Sequence, residues 1–337
     1  MSSDTFISSR TGMTREGAPL SLARVPAADI APWFYWISVA EGELPDGVTV
    51  PCGILGDQAC MRLLWGGTWT ANTMDGHQIF EAGEEGLTLY FGPQTQLMPV
   101  TVTGSYKAIT IHLTTGAPPI LGGPSQAEMR DRVILHEDLV GHGKLTSKIP
   151  VDQPYEEWLL AIEKQLRRFL STTSRRMPDP VSLAFERECL AAPDFAIGEF
   201  AAAQDISCRT LERTVKRDFG MSPKLVQRRA RALDMAAILL GVGRAQEEPE
   251  MRLRYFDQSH LIREMKKFFD MGPGELAKGA HPILRLNLES RQRRRLKALE
   301  ELEALETSGV APWRDPLAEP SLFGSARQDG ETGPAPR

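Results

Sequence analysis

The amino-acid sequence predicts an α+β protein with two domains, an all-β domain followed by an all-α domain. From Pro32 to about Val140, short apolar segments are separated by clusters of Gly, Pro, Asn and Asp, which is typical of antiparallel strands joined by turns. From Pro154 onward, apolar residues recur every three or four positions, as they do on amphipathic helices. The 337 residues are enough for two such domains.

The β-rich region contains four clear apolar segments: Met61 to Trp65, Leu87 to Phe91, Met98 to Val102 and Ala108 to Leu113. In the last segment, Ile109, Ile111 and Leu113 alternate with Ala108, Thr110 and His112, so one face of that strand should be buried. The spacing of the segments indicates a small all-β sandwich or barrel. We expect this domain to be cupin-like.

Composition excludes a wholly disordered chain, a collagen and a disulfide-rich miniprotein. Apolar residues make up 42% and charged residues 25%, and 39 Lys and Arg stand against 44 Asp and Glu, values of an ordinary globular chain. No segment is long and apolar enough to cross a bilayer and no secretory signal is recognisable, so we expect a cytoplasmic protein without a membrane partner. The four cysteines are scattered, with no C-x-x-C pair, so we expect structural thiols and no bound metal or other cofactor.

Two segments of the helical region repeat each other fifty positions apart. Thr210 to Pro223 aligns without gaps with His260 to Pro273. The identical pairs are Leu211 and Leu261, Arg213 and Arg263, Lys216 and Lys266, Phe219 and Phe269, Met221 and Met271, and Pro223 and Pro273. Each copy, wound as a helix, separates an apolar stripe from a polar and mostly basic face.

The residues around the first copy predict a helix-turn-helix unit. Asp194 is placed to cap a short helix, and Gln204 to Ile206 form a turn of suitable length. Ser207 can cap the following helix and Gly220 can end it in the left-handed conformation. Eight basic residues against two acids between Ser207 and Arg231 give a local charge of +6, which favours contact with phosphates.

These motifs resemble the paired helix-turn-helix domain of the AraC/XylS family of bacterial transcription regulators. Phe256 to Leu276 is similar to the second signature of that family, and Ser207 to Pro223 is similar to the first. The resemblance implies double-stranded DNA as a partner, with the two recognition helices in successive major grooves roughly 34 Å apart. The residues implied to face DNA are Ser207, Arg209, Glu212, Arg213, Lys216, Arg217, Gln258, Ser259, Ile262, Arg263 and Lys266.

The chain departs from the family pattern in both turns. The family usually has glycine there, whereas Asp205 and about Arg254 occupy those places in this chain. An arginine in the left-handed conformation would be destabilised by about 1 kcal/mol, so we expect the second unit to dock loosely or to read DNA weakly. In the wider family the first domain senses an effector or mediates dimerisation, which leaves a small-molecule partner and a homodimer as alternatives.

The predicted boundaries are a disordered N-terminus at 1–24, a β-rich sensor or dimerisation domain at 25–145, a helical linker at 146–185, the double helix-turn-helix domain at 186–282, a charged helix at 283–306 and a disordered tail at 307–337. We interpret the charged helix as solvated, with docking on the preceding domain or contact with phosphates as alternatives.

Alternatives to a DNA-binding regulator are a cupin-like metal or thiol enzyme with an accessory helical domain, and a protein-interaction scaffold. His77 with Glu81 and His112 are the nearest approach to a metal site, and Cys52 the nearest to a reactive thiol. None has the accompanying ligands or base, so we predict no catalytic residue. The aromatic run Trp33 to Trp36 suits core packing better than a ligand cavity.

Overall fold

The computed structural model describes residues 6–9, 21–137, 144–173 and 176–308, with side chains up to residue 304. The strands are β1 (Phe6–Ser8), β2 (Ser21–Arg24), β3 (Phe34–Gly42), β4 (Thr49–Ile54), β5 (Cys60–Trp65), β6 (Thr68–Thr73), β7 (Gly76–Glu81), β8 (Leu87–Phe91), β9 (Met98–Thr103), β10 (Tyr106–Leu113) and β11 (Val133–Leu135). The helices are α1 (Ala117–Ile120), α2 (Tyr155–Thr172), α3 (Pro180–Ala191), α4 (Ile197–Ala203), α5 (Cys208–Phe219), α6 (Pro223–Leu239), α7 (Glu248–Leu253), α8 (Gln258–Phe269), α9 (Pro273–Lys278) and α10 (Pro282–Ser308).

The strands form two antiparallel sheets. The seven-stranded sheet has the order β1-β2-β3-β10-β5-β8-β11, and the four-stranded sheet has the order β4-β9-β6-β7. The predicted α+β class, with an all-β domain followed by an all-α region, is therefore confirmed.

The prediction of one buried face for β10 is incomplete, because side chains on both faces are buried. Ile109 and Ile111 lie in a cluster with apolar residues of α2, whereas Ala108 lies in a second cluster with residues of the four-stranded sheet. His112 is also buried, at 8% exposure. The central strand is thus covered by a helix on one side and a sheet on the other.

The first 24 residues are not wholly unstructured, contrary to the sequence-based prediction. β2 pairs with β3, opposite Val39 and its neighbours, and β1 pairs with β2. Strands of three and four residues contain too few alternations to be recognised, and they are held by pairing and by burial of Leu22 and Ala23. Residues 1–5 and 10–20 of the predicted N-terminus lie outside the described residues.

Helix α2 is part of the core of the β-rich domain rather than a linker. Its predicted apolar stripe, which includes Trp158, Ile162 and Leu166, is buried against that domain. Glu163 on the same helix is buried too, and Arg24 of β2 donates a hydrogen bond of 2.7 Å to its carboxylate. The amphipathic pattern predicted the helix, whereas its packing partner depends on residues far away in sequence.

Helix α10 is longer than predicted, and its first half docks on the protein instead of being solvated. Arg291 and Arg295 are 3% exposed. Arg291 contacts Asp234 of α6, and Arg295 pairs with Glu247 at 2.6 Å. The predicted tail from residue 309 onward lies outside the described residues. No helix within the described ranges is long and apolar enough to cross a membrane.

Candidate DNA-binding surface

The first helix-turn-helix unit consists of α4, a short turn and α5. Asp205 in the turn has φ of 53°, the left-handed conformation expected where the family has glycine. The Ser207 hydroxyl accepts a hydrogen bond of 3.1 Å from the backbone N–H of Thr210, and Gly220 ends α5 with φ of 72°. These caps fix the length and direction of α5. The predicted Asp194 cap is wrong, because α4 begins after Ala196 and Asp194 instead pairs with Arg231 at 2.8 Å.

The second unit consists of α7, a turn and α8. Arg254 in this turn has φ of −72°, so the left-handed strain expected there is absent. Its guanidinium pairs with the buried carboxylate of Asp234 at 3.0 Å. Asp257 caps α8 by accepting from the His260 N–H at 2.6 Å, and Asp270 ends the helix with φ of 57°. The roles of these two aspartates were not predicted, although Asp257 aligns with Ser207 and Asp270 aligns with Gly220 in the repeat.

The predicted apolar stripes of α5 and α8, the two helices implied to read DNA, are buried. Leu211, Val215 and Phe219 lie in the core of the first unit. Leu261, Met265, Phe268 and Phe269 lie in the core of the second. Burial of one stripe leaves the opposite face of each helix in solvent.

The residues implied to face DNA lie on these solvent faces. In the first unit, all of the predicted residues are exposed: Ser207, Arg209, Glu212, Arg213, Lys216 and Arg217. In the second unit, Ile262 is partly buried and the others are exposed: Gln258, Ser259, Arg263 and Lys266. Contact with DNA remains a prediction for every one of them.

The local positive charge is smaller at the surface than the sequence count suggests. Arg217 pairs with Asp218 and Asp179, and Arg228 pairs with Glu264. Arg229 is 1% exposed. Within the described part of the chain, Arg209, Arg213, Lys216 and Lys224 are the cations of this segment that have neither an ion-pair partner nor burial. The sequence count could not separate exposed from paired cations.

A loop of the β-rich domain, residues 92–97, contacts the helical domain. A Cβ atom added to Gly220 would lie 2.9 Å from the Pro93 side chain and 2.5 Å from the carbonyl oxygen of Gln126, which leaves room only for glycine at the end of α5. Arg229 of α6 donates to the carbonyl of Gln94 at 2.7 Å and to the carbonyl of Asp57 at the same distance. The loop thus lies against the first recognition helix and the connecting helix α6.

A buried charge cluster joins the β-rich domain to α10 and α3. Arg294 pairs with Asp57 at 2.9 Å and also contacts Glu186. Burial alone would raise the pKa of Asp57, but the guanidinium groups of Arg294, Arg291 and Arg229 outweigh it and lower the pKa to about 2. Burial raises the pKa of Glu186, against the opposing effect of Arg294. The cluster is a structural junction rather than an exposed binding surface.

The side chains considered for metal or thiol chemistry are either hydrogen-bonded to a neighbouring residue or buried. His77 and Glu81 are exposed, and the His77 ring contacts Asn72 at 2.8 Å. Burial lowers the pKa of His112 to about 3 and raises the pKa of Cys52 to about 11, so the imidazole is neutral and the thiol is protonated near neutral pH.

The candidate metal ligands do not cluster among the described residues, and the aromatic run is divided between the core and a cavity. No group of three His, Cys, Asp or Glu side chains that could hold a metal occurs among residues 6–9, 21–137, 144–173 and 176–304. Trp33 and Phe34 lie in the core of the β-rich domain, in agreement with core packing, whereas Trp36 is buried but lines a cavity.

Comparisons with known proteins give matches among solved structures. No protein-family model matches the chain, and no curated protein matches it. The chain is similar to ToxT from Vibrio cholerae: the wild-type form bound to an unsaturated fatty acid is 10% identical, covers 77% of this chain and 99% of that chain, and has a TM-score of 0.41. A 1.65 Å structure of ToxT is 10% identical, with coverage of 72% and 97% and a TM-score of 0.42.

Proposed function

We propose that the protein is a sequence-specific, DNA-binding regulator of transcription of the AraC/XylS type, acting in the cytoplasm. The observation that carries the proposal is the structural repeat. Each copy places a capped helix on an apolar core and leaves a polar, cationic face in solvent. Arg213 and Arg263 occupy equivalent exposed positions on these faces.

The two faces suit the major groove. Arginine can donate two hydrogen bonds to a guanine edge, and serine can bond to several bases, so Arg213, Arg263 and Ser259 are the proposed base-reading residues. Lys216 and Lys266 follow along the same helices and are proposed to contact phosphates, which position a protein without reading sequence. Helix α6, which is largely buried, connects the two units as a stiff spacer.

Selection from a random pool of DNA duplexes with the full-length protein tests this proposal. We expect enrichment of one site whose protected region spans two successive major grooves, with affinity that falls steeply as salt rises. A pool that enriches no sequence, with folded protein at low ionic strength, would contradict DNA recognition and favour the scaffold alternative.

A cleft between the β-rich domain and the helical domain supports a small-molecule effector as a second partner. The cavity has a volume of about 620 Å³ and is lined by Trp36, Arg244, Arg285 and Arg293. Gln292 also lines it, is 8% exposed, and has neither amide atom hydrogen-bonded within the described structure. A buried amide without partners is unfavourable, so the cleft suits an organic anion whose oxygen atoms accept from the Gln292 amide and from the arginines that line the cleft.

Thermal unfolding with and without a ligand tests the effector site. Decanoate, as an amphipathic anion, should raise the unfolding temperature of the wild-type protein, and Gln292→Glu should weaken this effect because it adds a negative charge that repels the bound carboxylate. Inorganic phosphate is the comparison probe that lacks the apolar part. A shift of equal size in both proteins would place binding elsewhere.

A further inference from the structure

Phe256 is 93% exposed, the highest value of any exposed large apolar side chain that the structure describes. It lies in the turn of the second helix-turn-helix unit, directly before the Asp257 cap of α8. An aromatic ring left in water is unfavourable, so its position calls for a physical reason.

The repeat provides a matched comparison. Ile206 occupies the equivalent position in the first unit, directly before the Ser207 cap. An apolar residue there normally packs against the fourth residue of the helix. Ile206 packs on the buried cluster that contains Leu211, the fourth residue of α5. In the second unit the fourth residue, Leu261, is buried without covering Phe256.

Neighbouring residues hold the backbone of Phe256 in place while its ring stays exposed. Tyr255 occupies the buried side of the turn at 6% exposure, and its ring contacts the His260 ring with centroids 5.7 Å apart. The backbone N–H of Phe256 donates to His260 Nδ1 at 3.2 Å, and Asp257 caps the N–H of His260. The exposed ring is therefore presented by a fixed turn.

We propose that Phe256 contacts the 5-methyl group of a thymine in the major groove occupied by α8. This inference rests on the DNA-binding function proposed above. The N-terminal end of a recognition helix is the part that approaches base edges, and Phe256 adjoins that end of α8. The thymine methyl is the apolar group of the major-groove edge, and a phenyl ring is a suitable partner for it. The polar side chains next along the helix, Gln258 and Ser259, are exposed beside it.

The contact distinguishes the two halves of the binding site. Ile206 is partly buried on the core of the first unit, so that unit offers no equivalent ring. Thymine-methyl recognition should therefore occur in the half that α8 reads and be absent from the other half.

The test uses the full-length protein and the duplex enriched from the random pool, with each thymine replaced singly by deoxyuridine, which lacks only the 5-methyl group. For the wild-type protein, one replacement in one half-site should weaken binding about fourfold, the effect of one buried methyl group. Phe256→Ala should bind the thymine duplex about as weakly as the wild-type protein binds the deoxyuridine duplex. The variant should no longer distinguish thymine from deoxyuridine at that position. Its unfolding temperature should be unchanged, since the side chain is 93% exposed.

Leu253→Ala is the matched control, because Leu253 is an apolar residue of the preceding helix with 84% exposure. This variant should keep the thymine preference. If a duplex is enriched but every deoxyuridine replacement changes the affinity of wild-type and Phe256→Ala equally, the contact alone is overturned. The exposed ring would then favour a protein partner. A pool without enrichment would overturn the proposed function and this contact with it.

Discussion

The backbone N–H of Leu97 donates a hydrogen bond of 2.6 Å to the carbonyl of Phe268, in the last turn of α8. The last carbonyls of a helix lack partners within the helix, so a loop of the β-rich domain completes the end of the second recognition helix. The same loop contacts Gly220 through Pro93 and α6 through Gln94. One loop of the first domain thus touches both recognition helices and their connector.

Arg229→Met should destabilise the protein by about 2 to 4 kcal/mol, because it leaves the buried carbonyls of Gln94 and Asp57 without a donor and removes a cation near the Asp57 carboxylate. Urea denaturation measures the change. Arg244→Met replaces an exposed arginine and should change the free energy of unfolding by less than about 0.5 kcal/mol. Equal effects of the two substitutions would contradict the role given to Arg229.

Gly220→Ala should destabilise the protein by at least about 1 kcal/mol, since a Cβ is strained in the left-handed conformation. The new atom would also lie 2.5 Å from the Gln126 carbonyl oxygen. Gly272→Ala is the control, because Gly272 has φ of −74° and its added Cβ would meet nothing within 4 Å. Thermal or chemical unfolding that ranks the two variants in the opposite order would refute this account.

Arg213→Ala should lose about 1 to 3 kcal/mol of binding free energy selectively at one base position, if its guanidinium pairs with guanine. Arg217→Ala should leave the base preference unchanged, because Arg217 is held by Asp218 at 2.6 Å and Asp179 at 2.8 Å. Competition binding against single-base variants of the selected duplex separates the two. Uniform weakening of all duplexes by Arg213→Ala would make Arg213 a phosphate contact.

Asp57→Asn should make the free energy of unfolding depend less on pH between pH 4 and pH 2. The pKa of Asp57 falls from 3.8 to about 2 in the folded protein, so the unfolded chain binds more protons between these values. The carboxylate therefore contributes about 2 kcal/mol above pH 4, and this contribution is lost as the pH falls towards 2.

The free energy of unfolding, measured from pH 2 to pH 7 for both proteins, checks this prediction. Burial and the nearby Asp57 charge both raise the pKa of Glu186, so Glu186 gives a slope of opposite sign above pH 4.5, and this slope should be smaller in the variant. Parallel curves between pH 2 and pH 4 would show that Asp57 does not carry the acid dependence.

Sequence reasoning succeeded where local patterns decide structure. The apolar stripe of α2, the Ser207 cap and the left-handed Asp205 and Gly220 were all predictable, because each depends on residues within a few positions. It was wrong about Asp194 and Arg254, whose partners, Arg231 and Asp234, come from another helix. Asp194 pairs with a nearby cation and does not cap the helix. Arg254 pairs with a buried carboxylate and keeps an ordinary backbone conformation.

The sequence by itself determined the order of the two domains, the repeat of the recognition helices and the polar faces on α5 and α8, because hydrophobic periodicity and capping are local. Only the tertiary structure decided which charges stay exposed. It buried Arg229 and Arg291 at the junction of the domains and left Arg213 in solvent. It also covered Ile206 while exposing Phe256. Burial depends on elements that are distant in sequence and pack together in the fold, and the local spacing of residues does not predict which elements these are.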